Sequence, residues 1–256
     1  MKIDWSPLRS ELALWRAQNL ILPVWWRDDD ATSPSQELDQ LVALSCDCDV
    51  PVHLAVIPKT ATSALASYVE DTSALIPVVH GFAHKNHNPQ DMKKSEFGAA
   101  RDVEDAKRDI QTGFDTLDQL FGKRLAPMFV PPWNRMSPEM FPLLAEIGYA
   151  SVSVFSPRDR VEACEGLTQI NTHLDPIFWR KTRGLIPAPL LVEKMVGLLH
   201  DRRTGLTDNS EPLGYLTHHL VHTPDIWEFS RQILVELHEG QITLYRHETR
   251  HTKKDI

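Results

Sequence analysis

The sequence predicts an α/β fold: a closed or distorted (β/α) barrel whose strands run mostly parallel. Three observations predict it. Short apolar runs rich in β-branched and aromatic residues alternate with amphipathic stretches of helical period, the pattern of a sheet covered on its faces by helices. Ser/Thr-Pro pairs stand ahead of four of those stretches, at Ser6-Pro7, Ser33-Pro34, Ser137-Pro138 and Thr223-Pro224. A hydroxyl at the N-cap with proline next marks a helix start, because proline lacks only an N–H that would be orphaned there. Finally, no Gly-rich phosphate turn follows the first apolar run, which disfavours a doubly wound sheet.

Taken in order, Ser6-Pro7 opens a charged amphipathic helix over 7–18, and the apolar run at 21–26 forms the first strand. Ser33-Pro34 opens a helix over 34–46; the run at 52–57 is the second strand, followed by a helix over 61–71 and a strand over 75–79. A long amphipathic stretch predicts a helix over 94–121, leading to a strand over 126–130. Ser137-Pro138 starts a helix over 138–148, and strands follow at 150–155 and 177–179. A helix over 188–203, a strand over 213–217 and a helix over 224–239 complete the alternation. Residues 1–245 read as one domain and 246–256 as a polar, solvated tail.

A chain of 256 residues can bury one large core, and barrels routinely reach this length. The formal charge of −8 excludes a general nucleic-acid binder, since no basic face offsets it. The early apolar run, Leu20 to Trp26, is too short to span a bilayer and lacks a compact basic segment before it, so no membrane association is expected. Three cysteines without a CxxC pattern read as buried thiols in a reducing, cytoplasmic setting. Twelve histidines are many for this length, and neutral imidazole is the commonest metal ligand.

Chemistry-bearing residues gather at the C-terminal ends of apolar runs, which in a (β/α) barrel share one face. The first group is Arg27-Asp28-Asp29-Asp30. A run of aspartates is commonly a solvated turn, but at a strand end its crowded carboxylates repel unless Arg27 or a cation neutralises them. The second is His80-Gly81-Phe82-Ala83-His84, with Gly81 allowing a sharp turn. An HxxxH alone is weak evidence, and without the Glu of HExxH a zincin is not indicated. Together, one carboxylate and two imidazoles make a catalytic metal set that leaves a position for water. The third, Pro131-Pro132-Trp133-Asn134-Arg135, reads either as a strand stop or as a pocket wall. In the fourth, His218-His219, only one imidazole can face inward if strand alternation persists, and that one is a candidate general acid. His53, mid-strand, reads instead as a core histidine bonded to backbone.

In this order the groups resemble the NodB-homology polysaccharide deacetylases, carbohydrate esterase family 4. That family carries T-F-D-D-G, H-[ST]-x-x-H, R-x-P-Y-like, D-x-x-D-W-like and L-x-H motifs. Their counterparts here are Trp26-Arg27-Asp28-Asp29-Asp30, His80 to His84, Val130-Pro131-Pro132-Trp133, Asp175-Pro176-Ile177-Phe178-Trp179 and Leu216-Thr217-His218. The resemblance implies a distorted barrel of the glycoside hydrolase/deacetylase type and a divalent metal, most often Zn2+. By carry-over, Asp28 is the general base and His218 the general acid, Asp29, His80 and His84 bind the metal, and Leu216 lines the acetyl-methyl pocket. Trp133, Asn134, Arg27, Arg135, Asp175 and Trp179 complete the expected substrate contacts. The implied reaction is hydrolysis of an acyl group, acetyl above all, from a carbohydrate-like or other small molecule. The third motif departs from the family, with Val130 in place of the arginine that orients the base, so Arg27 or Arg135 is expected to substitute. Asp30 stands where the family has glycine, and Phe178 where it has a second aspartate. These departures leave open an alternative: a metal-holding barrel without turnover, serving as a binding or regulatory protein. A carboxylate-pair glycosidase is disfavoured by the histidine pair.

Overall fold

The computed structural model describes residues 2–249. One nine-stranded sheet has the spatial order β6-β7-β5-β4-β3-β2-β1-β8, with β9 also paired to β1. The strands are β1 (Leu22–Ala31), β2 (Val52–Val56), β3 (Leu75–His80), β4 (Met128–Val130), β5 (Ser151–Val152), β6 (Glu162–Cys164), β7 (Leu167–Gln169), β8 (Leu213–Thr217) and β9 (Ile242–Leu244). All pairings are parallel except β6 with β7. Past β7 the chain makes single bridges, Thr172 to Phe155 on the β5 side and Leu174 to Tyr215 of β8, which joins the two ends of the sheet into a distorted barrel, as predicted.

Helices α1 (Ser6–Ala17), α2 (Gln36–Cys48), α3 (Ser63–Glu70), α4 (Val103–Phe121), α5 (Phe141–Ile147), α6 (Ala188–Arg203) and α7 (Pro224–Leu237) cover the sheet. Strand alternation divides the core in two. Val24, Trp26, Val52, Leu54, Val79 and Phe129 pack in the large cluster with helix residues such as Leu12, Leu41, Phe114 and Ile233. The alternate strand positions, Trp25, Ala55, Val78, Met128 and Val130, form a smaller cluster of their own inside the barrel.

The element limits differ from the expected ones where capping or tertiary packing decides. Proline does open α7 and sits in the first turn of α1, but hydroxyl caps come from Ser35 and Thr62 instead. The predicted helix from residue 94 begins only at Val103, where the Asp102 carboxylate accepts from the Asp105 N–H at 3.0 Å. Before it, Ser95, Glu96 and Phe97 are buried in a loop, a tertiary role that helical periodicity cannot show. The stretch 177–179 makes only one isolated bridge, Ile177 to Leu185, and is no strand. The unpredicted β6, β7 and β9 are three residues each and lack the apolar run that marks the inner strands.

Tyr245, the last residue of the expected domain, and His247, in the segment read as a tail, are both tied down. The Tyr245 N–H donates to Val24 O at 2.8 Å, and the His247 imidazole meets Ser151 Oγ at 2.8 Å. Anchoring thus extends to His247, past the boundary expected at Arg246; residues 250–256 of that tail lie outside the described residues. The His247 N–H also donates to His53 Nε2 at 3.0 Å, while His53 Nδ1–H donates to Trp26 O at 3.2 Å. Both nitrogens of His53 are thereby used by backbone in the neutral form, as expected of a core histidine.

Burial, and secondarily the His247 charge, push the His53 pKa down to about 3. Below about pH 6.5 the unfolded chain binds a proton here that the native chain refuses, so stability falls as pH drops toward 3. The slope is about 1.4 kcal/mol per pH unit for one such group. A His53→Asn variant, whose amide can still donate to Trp26 O, is therefore expected to lose stability less steeply between pH 6.5 and 4. Denaturant melts of both proteins across that range check it; equal slopes would contradict the assignment.

Candidate functional site

β1 extends five residues past the predicted strand end, through the whole acidic run to Ala31. Alternation therefore sorts the run. Arg27 and Asp29 point inward, and Asp28 points outward. The pairing with β2 slips between Asp28 and Ala31, and Asp30 has φ 77°, a left-handed conformation that Asp tolerates better than most residues. Such a bulge re-aims side chains. It brings Asp29 and Asp30, neighbours in sequence, to one cavity.

Asp28, expected as general base, is elsewhere. It is fully buried on the outer face, where its carboxylate accepts from Thr217 Oγ1 at 2.5 Å and the His219 N–H at 3.0 Å. It also pairs with the His219 imidazole. Burial alone would raise its pKa, but the charge and hydrogen bond of His219 hold it below the usual carboxylate range. The same partnership raises the His219 pKa against the lowering effect of burial. This is a buried structural ion pair that ties β1 to the turn after β8, with His219 Nε2 left without a hydrogen-bond partner, and it does not line the cavity.

The metal-type donor set is Asp30, His80 and His84, whose ligand atoms all lie within 4.8 Å of one another. Asp30 Oδ1 lies 3.0 Å from His80 Nε2 and 3.3 Å from His84 Nε2. The carboxylate of this set is thus Asp30, not the expected Asp29, because the bulge moves the register by one residue. His80 Nδ1–H donates to Val130 O at 3.0 Å, which leaves the Nε2 lone pair of a neutral ring facing a carboxylate oxygen. Opposed lone pairs repel, and either a shared proton or a cation resolves the conflict; with the His84 nitrogen converging on the same carboxylate, these residues fit a divalent metal. Burial would lower the His80 pKa, but Asp29 and Asp30 raise it overall. Burial and the neighbouring His80 lower that of His84.

Gly81 and Glu96 shape the turn that returns His84 to the set. Gly81 has φ +56°, and an added Cβ would sit 2.3 Å from Glu96 Oε2 and 2.5 Å from Pro132 Cδ, so only glycine fits. The buried Glu96 carboxylate accepts from the backbone N–H of Phe82 at 3.2 Å and of Ala83 at 2.8 Å. Sequence reading placed Glu96 in a helix and missed this role, because nothing in Ser95-Glu96-Phe97 sets the acid apart from a helical one. The His84 ring lies 4.4 Å from that of Trp133.

Beside this set, Arg27 is wholly buried and grips Asp29 with two bonds, Nε to Oδ1 at 2.8 Å and Nη2 to Oδ2 at 3.0 Å. Its remaining N–H groups donate to Ser153 Oγ at 2.7 Å and Asn134 Oδ1 at 2.5 Å. Arg27 thus supplies the guanidinium missing at Val130, but to Asp29 rather than Asp28. Arg135 instead donates to Lys94 O at 3.0 Å. His218 Nε2 lies 3.9 Å from Asp29 Oδ2, the oxygen that also accepts from Arg27 Nη2. The Trp179 ring stands 4.7 Å from His218, edge-on, and its Nε1–H donates to Asp175 Oδ2 at 2.8 Å. Burial raises the Asp175 pKa, and the His218 charge opposes it. His218 therefore faces inward and His219 outward.

Asp29, Asp30, His80, His84, Trp133, Asn134, Arg135, Asp175, Trp179 and His218 all line one cavity of about 910 Å³. Leu216, expected in the acetyl-methyl pocket, is buried beside Arg27 in the β1–β8 ladder and does not reach that cavity. Arg27 likewise stands behind the wall and acts through Asp29 and Asn134.

No family model matches the chain, and no curated relative matches it. Solved structures do. A family 4 carbohydrate esterase from Streptomyces lividans, in complex with acetate, is similar over 88% of this chain and 92% of its own, at 12% identity and TM-score 0.56. A protein from Mycobacterium smegmatis assigned to the polysaccharide deacetylases matches over 80% of this chain and 72% of its own, at 16% identity and TM-score 0.59. A family 4 pseudoenzyme from Bacillus anthracis is similar over 88% of this chain and 64% of its own, at 13% identity and TM-score 0.56. The fold of this chain is that of the polysaccharide deacetylases of carbohydrate esterase family 4.

Proposed function

We propose that this protein is a metal-dependent deacylase that removes an acyl group, acetyl foremost, from an amide nitrogen of a carbohydrate-like or other small molecule. The observation that carries the reading is the convergence of Asp30, His80 and His84 with Asp29 and His218 in one cavity. The acidic pair of the family motif then corresponds to Asp29-Asp30, one residue later than the sequence alignment suggests, with base before ligand in the same order. When bound at the triad, a divalent ion, zinc first among candidates, supplies Lewis-acid polarisation of the acyl carbonyl and a more acidic water.

The protein's own groups do the rest. Asp29 takes the proton from the attacking water, and the bidentate Arg27 contact fixes the carboxylate's orientation. His218 gives a proton to the departing nitrogen, with the Trp179 edge holding the ring in place. Trp133 beside His84 and Trp179 beside His218 offer apolar faces to a sugar-like ring. Among the described residues no helix is long and apolar enough to cross a membrane, and the three cysteines are free, with Cys46 exposed rather than buried as expected.

A second reading, a metal-holding barrel that binds without turnover, is favoured by the likeness to a pseudoenzyme of the same fold. Acetate release from a panel of N-acetylated compounds separates the two. Metal-loaded protein is expected to release acetate, chelation to stop it, and readdition of zinc to restore it. Metal-loaded protein inert on the whole panel would favour the binding reading.

A further inference from the structure

The cavity holding the proposed metal set has more basic than acidic side chains, five against three, in a chain whose formal charge is −8. Five basic side chains line it: Lys93 and Arg135 on one side of the sheet order, after β3 and β4, and Arg180, Arg183 and Lys194 from the β7–α6 connection and α6. Among the described residues none of the five is in an ion pair, whereas Arg101, Arg158 and Arg203 elsewhere each hold a carboxylate. Acidic side chains outnumber basic ones in this chain, 35 to 27, so a shortage of acids does not account for this.

None of the three carboxylates of the cavity forms an ion pair with these cations, although burial lowers the Lys194 pKa and Asp175 is near enough to oppose that larger effect. Asp29 is held by Arg27, Asp30 faces the two histidines, and Asp175 accepts from Trp179 Nε1–H. Instead, the cations rest on aromatic faces: Arg183 lies 5.4 Å from the Trp179 ring centroid and Lys194 Nζ 4.8 Å from that of Phe155. Both rings belong to residues that line the cavity, so the charges are held at its wall. A concave wall carrying one sign of charge focuses its field and concentrates ligands of the opposite sign.

We propose that the compound bound in this cavity carries an anionic group, a carboxylate or a phosphate, received by Arg180, Arg183 and Lys194 while its acyl group lies at Asp29 and Asp30. The assignment of the acyl end rests on the deacylase reading above. Guanidinium and ammonium groups at a cavity wall recognise both anions, Arg through paired N–H donors and Lys as a point charge. Neutral glycan chains would leave this charge unused.

Matched ligands test it: N-acetylglucosamine against its 6-phosphate, and against N-acetylmuramic acid, which carries a carboxylate on the same sugar. Calorimetry on chelator-treated, metal-free protein reads binding without turnover, and acetate release by the zinc-loaded protein reads kcat/KM. At least one anionic ligand is expected to bind about tenfold tighter than its neutral match, with the preference shrinking at high salt. Arg183→Met and Lys194→Met, both at solvent-accessible positions, are expected to cut the anionic-to-neutral ratio about fivefold each. The ligand pair showing the larger ratio tells phosphate from carboxylate. Equal affinity within each pair, or no binding of any ligand, overturns the anion assignment even if acetate is released. An anionic preference without acetate release upholds it and removes the deacylase reading.

Discussion

Asp29→Asn is expected to lower kcat by about 10²–10⁴-fold while metal content stays at the wild-type level, because general-base catalysis contributes roughly that much. The substitution keeps the shape of the side chain and its oxygen, so Arg27 retains one of its two contacts; the proton acceptor disappears together with the counter-charge of buried Arg27, so stability is also expected to fall, by about 3 kcal/mol. Asp28→Asn is the matched control. Its side chain faces Thr217 and His219, away from the cavity, so its expected effect is on stability. Removing one charge of a buried pair costs about 3 kcal/mol. Activity per folded molecule should then stay within a fewfold of wild type. Steady-state rates, metal content and denaturant melts on both variants check the pair of outcomes. The reverse pattern, with Asp28→Asn inactive and Asp29→Asn active, would restore the register read from sequence.

Arg27→Met carries the second large effect. The guanidinium is buried and all its polar bonds go to Asp29, Ser153 and Asn134. Without it, Asp29 stays buried with its main counter-charge gone, a change that costs about 3–5 kcal/mol. Asp29 also loses its fixed orientation, so kcat should fall together with stability. Binding of zinc at Asp30, His80 and His84 stabilises the native state by mass action, and should recover part of the melting temperature but not the rate. A variant with wild-type stability and rate would show that the Arg27–Asp29 contact holds nothing.

Much of this was legible in the sequence. Alternating apolar runs and proline-led helices specify the barrel, and His80, Gly81 and His84 declare themselves by type and spacing. Alternation shows that only one of His218 and His219 can face inward, and the structure chooses His218. What the sequence could not show was the length of β1. A run of aspartates looks like the end of a strand, yet β1 continues through it because β2 and β8 offer ladder partners as far as Val56 and Thr217. The bulge at Asp30 then decides which aspartate meets the histidines, and a bulge has no reliable sequence signal outside glycine. Glu96 escaped for a similar reason: its work is to accept backbone N–H groups of a loop that local periodicity does not describe. Arg27 was one of two candidates for the missing guanidinium, and only the three-dimensional placement of Arg135 separates them.

The central claim is that Asp30, His80 and His84 hold a divalent metal. Elemental analysis after zinc loading and desalting tests it most directly, on wild type, Asp30→Ala, His80→Ala and Asp29→Asn. The account predicts about one zinc per chain in wild type and in Asp29→Asn, and loss of the ion in Asp30→Ala and His80→Ala, since each removes one of three protein ligands. A wild type that retains no zinc, or an Asp30→Ala protein that keeps it while Asp29→Asn loses it, would contradict the account.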